Sequence, residues 1–188
     1  MAQALDAPDV FMQRLSNDLL EVVRKDPAIK MGDLQKIANL VDVRVLPNVN
    51  FQRMTSSAVG PAWRQASPEQ QKRLQEEFKL LLVRSYAGAL AQAKEHHTIV
   101  VKPFKGSVEE NEVIVRSEIK GGHEPVPLDY RLEKSADAPG GWKIYNFNLL
   151  GVWLVDNYRT QFAQEINAKG VDGLIATLTE RNKSNSRK

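Results

Sequence analysis

Apolar residues recur at helical spacing through the first half of the chain. Residues 9–25 place five apolar side chains on one helical face, and Asp26-Pro27 ends the segment. The five are Phe11, Leu15, Leu19, Val22 and Val23. Shorter helices are predicted over 31–41 and 48–59, and a long one runs from the start signal Ser67-Pro68 to about Lys94. The first half is therefore predicted to be mostly helical.

From Thr98 onward the apolar period changes from helical to alternating. Strands are predicted over 98–104, 112–119 and 126–133, and clusters rich in glycine separate them. In the third, Val126, Leu128, Tyr130 and Leu132 alternate with Pro127, Asp129, Arg131 and Glu133. Such alternation is typical of an antiparallel sheet with one apolar face and one polar face.

The stretch Trp142–Tyr158 carries more apolar surface than one strand and one helix need. It follows a turn at Pro139-Gly140-Gly141 and predicts a fourth strand, a break near Gly151 and then a helix. Large side chains occur at both parities of the strand, so its inward face is undecided. The excess surface either lies deep in the core or lines an apolar cavity. A further helix is predicted over 171–181.

Together these elements predict an α+β fold, in which a four-stranded antiparallel sheet packs against helices. Residues 1–94 form the helical part, and residues 95–188 form the sheet with the C-terminal helices. Both are expected to be layers around one core rather than independent domains.

Composition narrows the functional class. The chain has 188 residues, of which 42% are hydrophobic and 26% charged, and no cysteine, which excludes disulfides and thiolate chemistry. The longest apolar run, 149–155, is far shorter than the about 20 residues of a membrane span. The net charge of +3 comes from four basic residues after position 180, so no basic surface for nucleic acid is indicated.

Few residues suggest catalysis. His96 and His97 are adjacent, so they point to opposite sides of a strand, and no metal-ligand spacing or phosphate-binding glycine motif occurs. One alternative stays open: a cone-shaped α+β enzyme acting on a small hydrophobic substrate, with Asp129 or His97 as the base. Alternation, however, places Asp129 on the polar face.

Several segments, taken in order, resemble one family. They include Leu46-Pro47-Asn48-Val49-Asn50-Phe51, Ala58-Val59-Gly60-Pro61-Ala62-Trp63, Ser67-Pro68-Glu69-Gln70-Gln71, Tyr86-Ala87-Gly88-Ala89-Leu90, Trp142-Lys143-Ile144-Tyr145 and Lys169-Gly170-Val171-Asp172-Gly173-Leu174. The chain resembles, over about residues 7–180, the MlaC-type or toluene-tolerance periplasmic phospholipid carriers of Gram-negative bacteria.

The resemblance implies a soluble, periplasmic carrier that shuttles phospholipids between the outer and inner membranes within an ABC-type transport system. Its implied partners are an inner-membrane ABC transporter complex with a lipid-channel ring subunit and an outer-membrane lipoprotein–porin complex. It implies a curved, NTF2-like sheet with acyl chains held between sheet and helices, phospholipid as cargo, and no cofactor, metal or catalytic residue. We also expect a monomer. Ala2-Gln3-Ala4 is consistent with the trace of a removed signal peptide.

A lipid-contacting wall is predicted from apolar identity and from parity on the apolar side of the sheet. Its members are Val45, Leu46, Phe51, Leu81, Val113, Val115, Leu128, Tyr130, Ile144, Phe147, Val152, Trp153 and Tyr158. Because the parity of the fourth strand is undecided, Ile144 and Phe147 are not both expected to face the lipid.

Overall fold

A computed structural model describes residues 6–92 and 96–184 of the chain. The helices are α1 Pro8–Lys25, α2 Pro27–Lys30, α3 Leu34–Leu40, α4 Phe51–Val59, α5 Pro68–Ala91 and α6 Leu154–Ser184. The strands are β1 Thr98–Val101, β2 Glu112–Lys120, β3 Val126–Lys134, β4 Trp142–Leu149 and β5 Val152–Trp153. The predicted α+β fold with an antiparallel sheet is confirmed. The predicted boundary at 94 and 95 and the Ala2-Gln3-Ala4 motif lie outside the described residues.

Local signals set where the helices begin and end. Ser67 and Gln70 form a reciprocal capping box at the start of α5, and Pro68 occupies the first turn. The helix predicted from residue 31 begins instead at Leu34, because Asp33 caps it by accepting from two backbone amides. It ends in a π-helical turn, Val41–Val45. Gly170, with φ of 72°, interrupts α6 and separates the two helices predicted there.

The sheet is a simple meander with the strand order β1-β2-β3-β4-β5, and every neighbouring pair is antiparallel. The prediction of four strands is corrected to five, because the chain folds back after β4 and pairs Val152 with Leu149 before α6 begins. The helix predicted to follow Gly151 directly thus starts at Leu154. The NTF2-like curvature stays a prediction.

Helix α1 closes the free edge of β1 with a side chain. The Gln13 amide nitrogen donates to the Ile99 carbonyl at 2.8 Å, and the Gln13 carbonyl accepts from the Val101 amide at 2.9 Å. This amide therefore takes the place of a neighbouring strand, which would otherwise be free to add along an exposed edge. No helix among the described residues is long and apolar enough to cross a membrane.

Three apolar clusters hold the layers together. The first joins α4, α5 and α6 around Phe78 and Phe162. In the second, α1 packs Phe11 and Met12 on the sheet, and in the third the ends of α1 and α5 enclose α3. Val49, in the segment before α4, packs against both the first and the second cluster, so it marks the junction of helices and sheet.

Replacing Gln13 with alanine should destabilise the fold by about 1–2 kcal/mol, because the partly buried Ile99 carbonyl and Val101 amide then lose their partner. Urea unfolding followed by circular dichroism measures the loss. Gln52→Ala, an exposed position on α4, is the matched control and should change stability by less than about 0.5 kcal/mol. Equal stability of the two variants would contradict the edge-closing role.

Candidate functional site

The ladder register defines which side chains share the face of the sheet that meets the helices, here called the inner face. Residues paired across antiparallel strands lie on the same face. Val113 pairs with Leu132 and Val115 with Tyr130, and both valines are buried under α1. The inner face therefore continues through every second residue of β2 and β3.

One extra residue in β4 decides which of its side chains point inward. Leu132 pairs with Ile144, but Arg131 pairs with Asn146, so Tyr145 forms a β-bulge. Beyond the bulge Phe147 pairs with Tyr130. The bulge shifts the alternation by one residue and puts both Ile144 and Phe147 on the inner face, which settles the parity that the sequence left undecided. Which of the two contacts lipid stays a prediction.

The bulge also positions the start of α6. The Asn146 side chain is buried, and its carbonyl oxygen accepts from the Val155 amide at 3.1 Å and the Phe147 amide at 2.9 Å. Val155 lies in the first turn of α6, where backbone amides have no partner inside the helix. Asn146 thus fixes the angle at which the chain leaves the sheet.

The inner face is unevenly covered. At the end near Trp142, the residues Val113, Leu132 and Ile144 are buried in the cluster with α1. At the opposite end six apolar inner-face residues are only half-buried. They are Ile99, Ile119, Val126, Leu128, Phe147 and Leu149, and we call this set the apolar basin. Large apolar side chains that stay partly exposed beside a core are typical of binding surfaces.

Aromatic residues of the helices border the basin. The Tyr86 ring of α5 contacts Phe147 edge-on, with ring centroids 5.9 Å apart, and burial raises the pKa of Tyr86. Behind it, Phe78 stacks on Phe51 at 5.6 Å and meets Tyr158 at 5.2 Å. The predicted wall residues Phe51, Leu81, Phe147 and Tyr158 all belong to this helical cluster or pack against it.

Tyr130 and Ser117 are polar residues of the inner face, and the Ser117 hydroxyl donates to the Leu128 carbonyl. Burial raises the pKa of the Tyr130 phenol. A raised pKa keeps the hydroxyl protonated at neutral pH, so Tyr130 is a poor base. Asp129 lies on the opposite face, 3.5 Å from Arg116. Within the described residues no three His, Asp or Glu side chains are grouped to hold a metal ion.

The remaining predicted wall residues lie away from the basin centre. Val45 and Leu46 are half-buried in the turns before α4. Val152 pairs with Leu149 but is 52% exposed. Trp153 pairs with Asn148 on the outer face, where the Arg131 guanidinium lies 4.4 Å above its ring.

Sequence reasoning missed several basin residues. Ile119 and Val126 have the same alternation that singled out Val113 and Leu128, so the signal was present. Leu149 likewise shares the parity of the chosen Phe147. Tyr86, which borders the basin, gave no such signal, because it lies on a helix with apolar residues on several sides.

The start of α4 is joined to the sheet by a backbone hydrogen bond and by ion pairs. The Asn50 amide donates to the Ile144 carbonyl at 2.9 Å. Arg53 binds Glu112 at 2.8 Å and Glu133 at 3.0 Å, and its guanidinium lies 3.7 Å above the Tyr145 ring. These two glutamates face each other across β2 and β3, so Arg53 neutralises a like-charge pair.

Two small cavities occur elsewhere on the surface. One, of about 100 Å³, lies between the two halves of α6 near Phe162 and Leu174. The other, of about 190 Å³, lies between α1 and the π-helical turn near Leu15 and Val43. Neither includes a strand residue, and both are smaller than the about 300–1,000 Å³ of typical ligand pockets.

The MlaC protein family matches residues 13–180 of the chain. The chain belongs to the MlaC family. The predicted resemblance is thereby confirmed, and the apolar basin and every predicted wall residue, from Val45 to Tyr158, fall within the matched range.

Individual MlaC relatives agree with this assignment. A solved phospholipid-binding protein from Ralstonia solanacearum, in complex with a phospholipid, is 42% identical with a TM-score of 0.90, covering 96% of this chain and 99% of that one. The intermembrane phospholipid transport system binding protein MlaC of Haemophilus influenzae is 24% identical over 95% of this chain and 84% of its own. The toluene tolerance protein ttg2D of Pseudomonas putida is 33% identical over 58% of this chain and 49% of its own.

Replacing Arg53 with methionine should destabilise the protein by about 1–2 kcal/mol at pH 7, because Glu112 and Glu133 then repel each other. Arg53 holds the pKa of Glu112 below its ordinary value, so this stabilisation is present at neutral pH and is lost as the pH falls through the lowered pKa.

Unfolding free energies of wild type and Arg53→Met, measured from pH 7 to pH 3, should therefore converge at the acidic end. Arg64→Met is the control, since Arg64 is exposed and makes no ion pair within the described part of the chain. A difference that persists unchanged at pH 3 would mean that Arg53 acts through packing rather than charge.

Proposed function

We propose that this protein is a periplasmic carrier that holds a phospholipid with its acyl chains between the apolar basin and the helices. The observation that carries the proposal is the half-buried inner face, combined with a 42% identical relative solved in complex with a phospholipid. Half-buried apolar side chains of this kind suit the binding of a hydrophobic ligand.

Hydrophobic burial sets both the strength and the use of such binding. Each buried methylene contributes about 0.8 kcal/mol, so a chain of about sixteen carbons gains on the order of 10 kcal/mol on leaving water. Escape into solvent is then very slow, whereas transfer to another apolar conduit changes the free energy little. The carrier thus needs docking partners more than it needs polar contacts to its cargo.

We infer that loading moves the wall apart, because predicted wall residues such as Phe51, Leu81 and Phe147 pack in one cluster. A lipid would separate the sheet from the helical cluster along the basin, next to the contact between Tyr86 and Phe147. The Arg53 contact lies towards the other end of β4 and would serve as the hinge side.

The names of the relatives support a place in a transport system. One relative is called a binding protein of an intermembrane phospholipid transport system. We infer that this protein moves phospholipids between outer and inner membranes, and that it exchanges them with an inner-membrane ABC transporter complex with a ring-shaped lipid channel and with an outer-membrane lipoprotein–porin complex. We further expect it to act as a monomer without a cofactor.

The direct test is lipid recovery. Purified protein analysed by native mass spectrometry and by organic extraction should contain phospholipid. Recovery of none from freshly purified wild type would contradict the proposed function.

Leu128→Asp should reduce the bound phospholipid at least tenfold, because a charge in the apolar basin is costly to desolvate. Ile114→Asp is the matched control: Ile114 is 43% exposed and lies on the outer face of β2, so its lipid content should equal that of wild type. Circular dichroism checks that both variants fold, and the milder Leu128→Asn replaces Leu128→Asp if that variant does not. Equal lipid in the folded Leu128 variant and the control would remove the basin from the site.

A further inference from the structure

The turn between β4 and β5 is made of two residues that both have positive φ, Leu150 at 54° and Gly151 at 85°. This is the type I′ hairpin, which favours asparagine or glycine at its first central position. Leu150 is the single non-glycine residue with positive φ in the described part of the chain. A leucine there is strained, so the turn geometry does not explain its presence.

The apolar residues at this hairpin are also exposed to solvent, which the fold does not require. Leu150 is 68% exposed and Val152 is 52% exposed. The tip residues Leu150, Gly151 and Val152 carry no charge or polar side chain, so the end of the hairpin is apolar. An exposed apolar side chain that also strains its backbone weakens the fold twice, which points to a role outside folding.

The tip is continuous with the apolar basin. Val152 pairs with Leu149, Leu149 pairs with Leu128, and Leu128 pairs with Ser117. Paired residues share a face, so the apolar part of this row, Leu128, Leu149 and Val152, runs from the basin to the exposed hairpin and ends inward at Ser117. The Leu150 amide also donates to the Pro127 carbonyl at 3.3 Å, which holds the turn beside β3.

We propose that Leu150 and Val152 form an apolar lip over which acyl chains enter and leave the basin. This inference rests on the proposed function and adds to it a route for the cargo. Each methylene that must cross open water slows transfer by roughly fourfold, because its hydrophobic free energy is lost in transit. A lip that stays in contact with the chain shortens that crossing.

The occupant of the lip is the acyl chain rather than an anionic surface or a second copy of the protein. Leu150, Gly151 and Val152 carry no charge that would attract an anionic bilayer, and Arg131 lies over the Trp153 ring on the outer face. Two exposed side chains are also far less than a stable dimer buries. Continuity with the basin identifies the chain that already lies there.

Leu150→Asn separates a role in lipid transfer from a role in folding. If Leu150 served the fold, the substitution would lower the melting temperature; if it serves transfer, the substitution lowers only the transfer rate. Asparagine tolerates the left-handed conformation and makes the favoured Asn-Gly turn, so the melting temperature should stay the same or rise. If the lip guides acyl chains, transfer of lipid should nevertheless slow by about tenfold.

Transfer is measured with protein that carries pyrene-labelled phosphatidylcholine and with acceptor vesicles of unlabelled phosphatidylcholine, by the loss of the label from the protein. Met31→Asn is the matched control, because Met31 is 87% exposed and lies in the turn after α2, remote in sequence from the hairpin. Its transfer rate should equal that of wild type. Gel filtration of wild type and Leu150→Asn at several protein concentrations measures whether either protein forms a dimer.

Slow transfer by Leu150→Asn, with an unchanged or higher melting temperature and a normal Met31→Asn rate, supports the lip. Equal rates for Leu150→Asn and wild type overturn it, and so does an equally slow Met31→Asn. A wild-type dimer that Leu150→Asn dissociates also overturns it, since the tip would then be an interface between copies. Wild type that retains no labelled lipid overturns the proposed function as well, so the two failures are distinguishable.

Discussion

The extra residue in β4 is the constraint on which the arrangement of this protein depends. Because Tyr145 bulges, Ile144 can close the cluster under α1 while Phe147, three residues later, still faces the helices. The same bulge buries Asn146, whose carbonyl oxygen caps the first turn of α6. Without it, alternation would turn either Ile144 or Phe147 outward, and the sheet would lose contact with one of its two helical neighbours.

One apolar face of the sheet is unevenly buried. Helix α1 covers the end of the sheet near Trp142, and its Gln13 also closes the β1 edge, so this end is held by both apolar packing and hydrogen bonds. The other end keeps six half-buried apolar residues beside aromatic side chains of α5. The apolar basin is thus the part of the inner face that the fold itself leaves partly open, in a chain of the MlaC family that is 42% identical to a protein solved with a phospholipid.

Much of the fold and part of the candidate site could be predicted from local sequence patterns. Helix faces such as Phe11 and Val23 on α1, and the alternation of Leu128 and Tyr130 on β3, follow from neighbouring residues alone, because each element needs one apolar side. Candidate residues chosen by that rule, such as Val113 and Val115, do face inward. Trp153 does not, and the two-residue strand that carries it was too short to have a period.

What the sequence by itself determined is the order and type of the elements, the polarity of each strand's faces and the family resemblance, because these depend on residues close together in the chain. Only the tertiary structure decided the parity of β4, the fifth strand and which end of the inner face stays open. The parity of β4 depends on register, since it is set by whether Leu132 pairs with Ile144 or with Tyr145. The open end of the inner face depends on coverage, since it is set by where a distant helix such as α1 packs on the sheet. No local pattern encodes such pairings, since they are chosen by the packing of the whole chain.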